Sequence, residues 1–256
     1  MTTQALQNFP RRFPRLASLP AYRRVAEAVE RDILSGRLKA GEPLGTEAAL
    51  VAQFGVNRST VREGIRLLEH SGLVRRDSSR RLWVERPPTE QLVTSARRAL
   101  VLHEVSFREL YEAALALQLA TIEAAVEHAT EAQIDALERN IERTEANVAD
   151  TAAVARLDVE FHALIGRASH NRVLQLAREP SELLVMSSTE LILRHVAEGT
   201  ARLLHAHRMY VDAIRRRDRA AGSLWARRHL EDWRRGFARA GKDLDRPIDR
   251  IWIENS

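Results

Sequence analysis

The sequence of 256 residues contains no cysteine, which excludes disulfides and thiolate metal sites. No apolar run approaches the roughly 18 residues that a membrane-spanning helix requires, so no membrane span is expected. The opening segment MTTQALQNFPRRFPRLASLP has arginines without an apolar block behind them, so no secretory signal is expected either. No short-period repeat recurs, which excludes a solenoid. What is present is a globular composition, 45% hydrophobic and 29% charged. The length suits one large domain or two ordinary ones, and a cytoplasmic location is expected.

The formal charge of +5 is unevenly spread. Residues 1–86 hold 16 Lys and Arg against 9 Asp and Glu, whereas the remaining 170 residues hold 24 against 26. A basic module joined to a near-neutral domain produces that asymmetry, and a basic module suits nucleic acid.

Proline and helical periodicity divide the chain further. Residues 1–19, with Pro10 and Pro14, read as a flexible basic arm, and residues 20–86 mix short helices with small strands. Pro87 and Pro88 disfavour helix just ahead of them, so residues 87–94 read as a linker. Proline is scarce beyond, and almost every window has a helical period. That predicts an all-helical bundle of six or seven helices over 95–240, followed by a tail at 241–256. The expected fold class is therefore mainly α.

In the first module a helix over Ala21 to about Leu34 places Val25, Val29 and Ile33 on one face, with Gly36 as its stop. Thr46 suits the cap of a short helix, Gly55 suits a left-handed turn, and Asn57 suits the cap of a third helix, NRSTVREGIRLLEH. Val61, Ile65 and Leu68 form its inner stripe, leaving Arg58, Ser59, Thr60 and Arg62 outside. Two short helices around a glycine turn make a helix-turn-helix, whose second helix offers its N-terminal residues to base edges in the major groove. After Gly72, LVRR and LWVE flank DSSR and read as a two-stranded wing presenting Arg75, Arg76, Arg80 and Arg81 to the DNA backbone. A helical domain with a merely solvated basic surface is the plain alternative.

The stretch RDILSGRLKAGEPLGTEAALVAQFGVNRSTVREGIRLLEHSGLV resembles the winged helix of the GntR family of bacterial transcription regulators. The resemblance implies DNA contacts at Arg58, Ser59, Thr60 and Arg62; the cap Asn57 and the wing residues Arg80 and Arg81 complete the expected DNA-binding set. Two positions depart from the family pattern: Ala48 stands where an arginine is usual, and Arg81 where a glycine is usual.

In the second module, LDVEFH sets Asp158 and His162 one helical turn apart among Val154, Phe161 and Ile165. A buried carboxylate needs a partner. His207 shares a stripe with Leu204, Val211 and Ile214, and His229 lies between Trp225 and Trp233, so both rings face inward. One carboxylate and three imidazoles on three helices suit a divalent cation such as zinc, nickel, manganese or iron. Separate, locally satisfied core histidines are the plain alternative. His195, beside Leu191 and Ile192, is a reserve position; His128, His170 and His205 carry no constellation.

LDVEFHALIGRASHNRVL, AHRMYVDAIRRRD and RRHLEDW resemble the FCD ligand-binding domain of the FadR subfamily. That resemblance implies metal ligands Asp158, His162, His207 and His229, and a small organic-acid effector that shifts a homodimer on its operator. Ala114 and Gln118 depart from it, where arginine and glutamate are usual. The function expected is a transcriptional regulator, a repressor in the commoner case, bound to an inverted-repeat operator in double-stranded DNA. Two alternatives stay open: a metal-dependent enzyme, for which no inward general base is evident and the winged helix would be idle, and a non-specific DNA binder with a dimerising helical domain.

Overall fold

The computed structural model describes residues 19–87 and 89–247. The expected basic arm, apart from Leu19, and the last nine residues of the tail lie outside the described residues. The chain divides into two compact units on either side of Pro88 and Thr89.

In the first unit, α1 (Ala21–Leu34) packs on α3 (Arg58–His70), with α2 (Glu47–Phe54) beside them. Thr46 Oγ1 accepts from the Ala49 N–H at 3.2 Å and Asn57 Oδ1 from the Thr60 N–H at 2.8 Å, so side chains replace the first missing helical partners. Gly55 ends α2 at φ 61°, a left-handed conformation that glycine adopts without steric cost. Val29, Leu50, Val61, Ile65 and Leu68 are buried as one core, and Val25 is buried on the same helix as Val29. Closure of that core depends on Gly64. A Cβ there would come within 2.8 Å of the Tyr22 carbonyl oxygen and 3.1 Å of Val25 Cγ1. We expect Gly64→Ala to push α1 off α3 and destabilise this unit by about 1–3 kcal/mol, read as an earlier melting transition.

Among the described residues the two expected wing strands are present and a third joins them. Strand β1 (Pro43–Gly45) pairs antiparallel with β3 (Leu82–Val84), which also pairs with β2 (Val74–Arg76) in the order β1-β3-β2. β1 is three residues long and starts with proline, so it has no strand periodicity of its own; its partner defines it. The turn between β2 and β3 is organised by Asp77. Its carboxylate accepts from the Ser79 hydroxyl at 2.7 Å, the Arg81 N–H at 2.9 Å and the Trp83 indole N–H at 2.9 Å. Those bonds, that of Ser79 foremost, hold the Asp77 carboxyl down to about 2.

Among the described residues the second unit has seven helices: α4 (Thr89–Leu102), α5 (Phe107–His128), α6 (Glu131–Ala146), α7 (Thr151–Ala168), α8 (Arg172–His195), α9 (Gly199–Arg215) and α10 (Arg219–Arg239). The segment expected as a linker is thus helical from Thr89 onward. Helix α5 packs on α10, α7 on α8 and α6, and α9 on α10. Ile122, Phe161, Ile165, Tyr210 and Ile214 are fully buried between them. Residues 241–247 of the expected tail are tied to the start of α5. The Arg108 N–H donates to the Leu244 carbonyl at 2.9 Å, and the Arg108 guanidinium forks onto Asp245 at 2.5 and 2.9 Å.

Candidate functional site

The N-terminal end of α3 presents Asn57, Arg58, Ser59 and Arg62 to solvent, with Thr60 half-buried. Asn57 is the helix cap, and its oxygen also accepts from the Ser59 hydroxyl at 2.8 Å, so these two side chains brace one another. Arg58 is 81% exposed, with Nε 4.0 Å from Glu47 on α2. The wing arginines separate into two kinds. Arg80 and Arg81 are exposed at the turn. Arg76, expected to face DNA, is instead engaged by Glu47 at 2.8 Å and Glu69 at 3.1 Å, and Arg75 meets Glu85 at 2.6 Å. Two carboxylates that neutralise one guanidinium remove it from phosphate binding, so Arg76 ties the wing to α2 and α3. Arg80 adopts the left-handed conformation at φ 63°, one residue before the position where the family glycine was expected.

In the helical unit, Asp158 and His162 on α7, His207 on α9 and His229 on α10 bring their ligand atoms within 4.8 Å of one another. Asp158 is 3% exposed, His162 8% and His207 0%, while His229 keeps partial exposure. Asp158 Oδ1 lies 3.2 Å from His207 Nε2 and 3.5 Å from His162 Nε2; the Nε2 atoms of His162 and His229 are 3.2 Å apart. Despite the short distance, neither Asp158 Oδ1 nor His207 Nε2 is in a hydrogen bond. His162 and His229 are within hydrogen-bond distance of one another through Nε2, and all four groups crowd into one small volume. Four donors about 2.0–2.1 Å from a zinc-sized cation are spaced at about 3.3 Å in a tetrahedron, so the residues present fit such an ion.

Protonation agrees with the geometry. Burial works against the Asp158 charge, yet the imidazoles, His207 foremost, hold its carboxyl well below the usual carboxylate range. Burial drives His162 well below 6.5 against the pull of Asp158, and burial together with His207 lowers His229 to about 4. An ionised Asp158 beside neutral His162 and His229 is the pattern a cation requires of its ligands. Around them, the Phe161 ring stacks on His207 at 3.7 Å, and the Thr189 hydroxyl donates to Asp158 Oδ2 at 3.4 Å. The reserve position His195 is exposed, with Nδ1 2.8 Å from the Leu191 carbonyl, and takes no part.

The lowered imidazoles make metal-free stability depend on pH. A histidine whose folded value lies below 6.5 stabilises the fold fully above about 6.5 and loses that contribution as pH falls toward 4. Melting of chelator-treated protein should drop by about 5 °C or more across that window. A flat profile would mean that protons reach these rings freely in the folded state.

Beside the cluster lies a cavity of about 80 Å³, walled by Asp158, His162 and His229 on one side and by Leu117, Ile192 and Leu230 elsewhere. Further polar residues that line it are Gln118 on α5, Arg178 and Thr189 on α8, and Asp232 on α10. Sequence reasoning missed Arg178, because the surrounding LAREPSE has the polar, proline-broken look of a surface segment.

Residues 21–84 match bacterial regulatory proteins of the gntR family, and residues 109–232 match the FCD domain. The chain belongs to the GntR family and carries an FCD domain. Among its relatives is the HTH-type transcriptional repressor NanR of Citrobacter rodentium, 28% identical over 210 residues that span 80% of this chain and 81% of that protein. NanR of Salmonella schwarzengrund is 28% identical over 198 residues, 76% of this chain and 75% of the relative. A solved structure, Streptococcus agalactiae GntR, shares the fold with a TM-score of 0.61 and 24% identity, covering 84% of this chain and 99% of that one. This GntR-family chain is a transcriptional regulator with a ligand-binding domain, not an enzyme. Among the described residues no helix is long and apolar enough to cross a membrane.

Proposed function

We propose that this protein is a cytoplasmic, homodimeric repressor of the FadR subfamily whose grip on an inverted-repeat operator responds to a small organic acid bound at a metal site. The observation that carries the reading is the convergence of Asp158, His162, His207 and His229 beside a cavity, in a chain that also has a winged helix. Those four residues hold the divalent cation, which when bound supplies a Lewis-acidic centre for an oxygen donor of the effector. Arg58, Ser59, Thr60 and Arg62 face base edges from α3, Asn57 fixes the start of that helix, and Arg80 and Arg81 meet the backbone from the wing. Two copies related by a twofold axis match the two halves of the operator. The effector acts by binding the DNA-competent and DNA-incompetent arrangements with different affinity.

The test is elemental analysis of natively purified protein, mass spectrometry of the small molecules that accompany it, and selection of bound DNA from a random pool. Stoichiometric cation, a co-purifying acid that alters DNA affinity, and a recovered palindrome support the proposal. Protein without cation that recovers DNA of no common sequence at physiological salt would overturn it.

A further inference from the structure

The tip of the wing joins an acidic side chain to two basic ones, on a backbone that arginine rarely adopts. Arg80 lies at φ 63°, in the left-handed region where glycine sits without steric cost and a longer side chain does not. Such a residue persists only where its surroundings hold it. Here Asp77 does so. The Arg80 N–H donates to the Asp77 carbonyl and the Asp77 N–H to the Arg81 carbonyl, both at 3.0 Å. The half-buried Asp77 carboxylate takes the Ser79 hydroxyl, the Arg81 N–H and, from strand β3, the Trp83 indole N–H. One carboxylate therefore ties both halves of the turn to the sheet behind it. The Arg80 and Arg81 side chains that emerge are exposed, and among the described residues neither enters an ion pair. By contrast, Arg75 and Arg76 are engaged by Glu85, Glu47 and Glu69.

We propose that Asp77 is a positioning residue of the wing, an acidic side chain that strengthens DNA binding because it fixes Arg80 and Arg81 toward the phosphates. This role rests on the wing contact proposed above and adds to it the residue that sets its geometry. Two opposed effects decide the sign. An arginine already held in place forms its phosphate contact without first being ordered, and one such contact is worth about fivefold in affinity at physiological salt. A carboxylate about 10 Å from a phosphate, across water and salt, costs less than about twofold. Positioning outweighs repulsion, whereas charge alone gives the opposite sign. The hydrogen bonds that hold the Asp77 carboxyl down to about 2, that of Ser79 foremost, also keep it an ionised acceptor at neutral pH.

The experiment measures binding of the full-length chain to a fluorescein-labelled duplex of mixed sequence at several salt concentrations, with melting recorded for each variant. Asp77→Asn has one acceptor oxygen, so it cannot serve Ser79, Arg81 and Trp83 together as the two carboxylate oxygens do. It should weaken binding by about 3- to 10-fold and lower the salt slope, although it removes a negative charge. Trp83→Phe, which removes one donor and leaves the charge, should weaken binding less. In an Arg80→Ala, Arg81→Ala background the sign changes: Asp77→Asn should leave affinity as it is or raise it by up to about twofold, because only repulsion remains. Equal or tighter binding by Asp77→Asn with the arginines present would overturn the role. Equal weakening in both backgrounds would overturn it as well, since general damage to the wing produces that result. If melting shows that Asp77→Asn unfolds the first unit, Trp83→Phe in the two backgrounds decides instead: a loss that requires the arginines supports the role, and an equal loss in both overturns it. Unaltered affinity on replacing both arginines refutes the wing contact itself, and the positioning role with it.

Discussion

His207→Ala is expected to empty the helical domain of its cation and to lower its melting temperature by on the order of 10 °C. Two effects add. A ligand present at about a thousand times its dissociation constant stabilises the folded state by about 4 kcal/mol, and removal of one donor forfeits most of that. The imidazole is also fully buried and stacked on Phe161 at 3.7 Å, so its deletion leaves a void in the α7–α9 packing. The two contributions separate when melting is recorded with and without chelator. Wild type should lose stability on chelation and the variant should not. Asp158→Asn, nearly isosteric, should lose the cation with a smaller packing penalty. A His207→Ala protein with unaltered metal content would remove His207 from the site.

The second large effect concerns DNA. Arg58→Ala should cost about 1–3 kcal/mol on the preferred operator and relax specificity at one position in each half-site, because a side chain at the start of the recognition helix reads a base edge. Arg80→Ala should weaken binding to all sequences alike and reduce the salt slope by about one, as loss of a phosphate contact does. Binding isotherms on a matched and a scrambled duplex at several salt concentrations distinguish the two. The reverse pattern would exchange the roles of α3 and the wing. Arg76 gives an internal comparison. Held by Glu47 and Glu69, it should alter affinity only through the position of the wing, so Arg76→Ala should leave the salt slope nearly as it was.

Several elements were legible in the sequence because their signals are local. The caps at Thr46 and Asn57, the left-handed Gly55 and the stripe Val61, Ile65, Leu68 each follow from chemistry within one helical turn, and the structure has them where they were expected. Asp158 and His162 are one turn apart on α7. The inward direction of His207 and His229 follows from the apolar residues on their own helices.

What the sequence by itself determined is the set of elements and the faces they bury, since periodicity, capping and glycine conformations act over three or four residues. Tertiary structure alone decided which faces meet. It paired β1 with a strand nearly forty residues away, tied Arg76 to Glu47 across 29 positions, and docked residues 244 and 245 on the start of α5. It also turned Arg178, from a segment with a surface-like composition, into the wall of the cavity. The reason is that a local pattern specifies a direction relative to its own helix axis, whereas a partner or a pocket requires the relative placement of several axes, which only close packing of the whole bundle supplies.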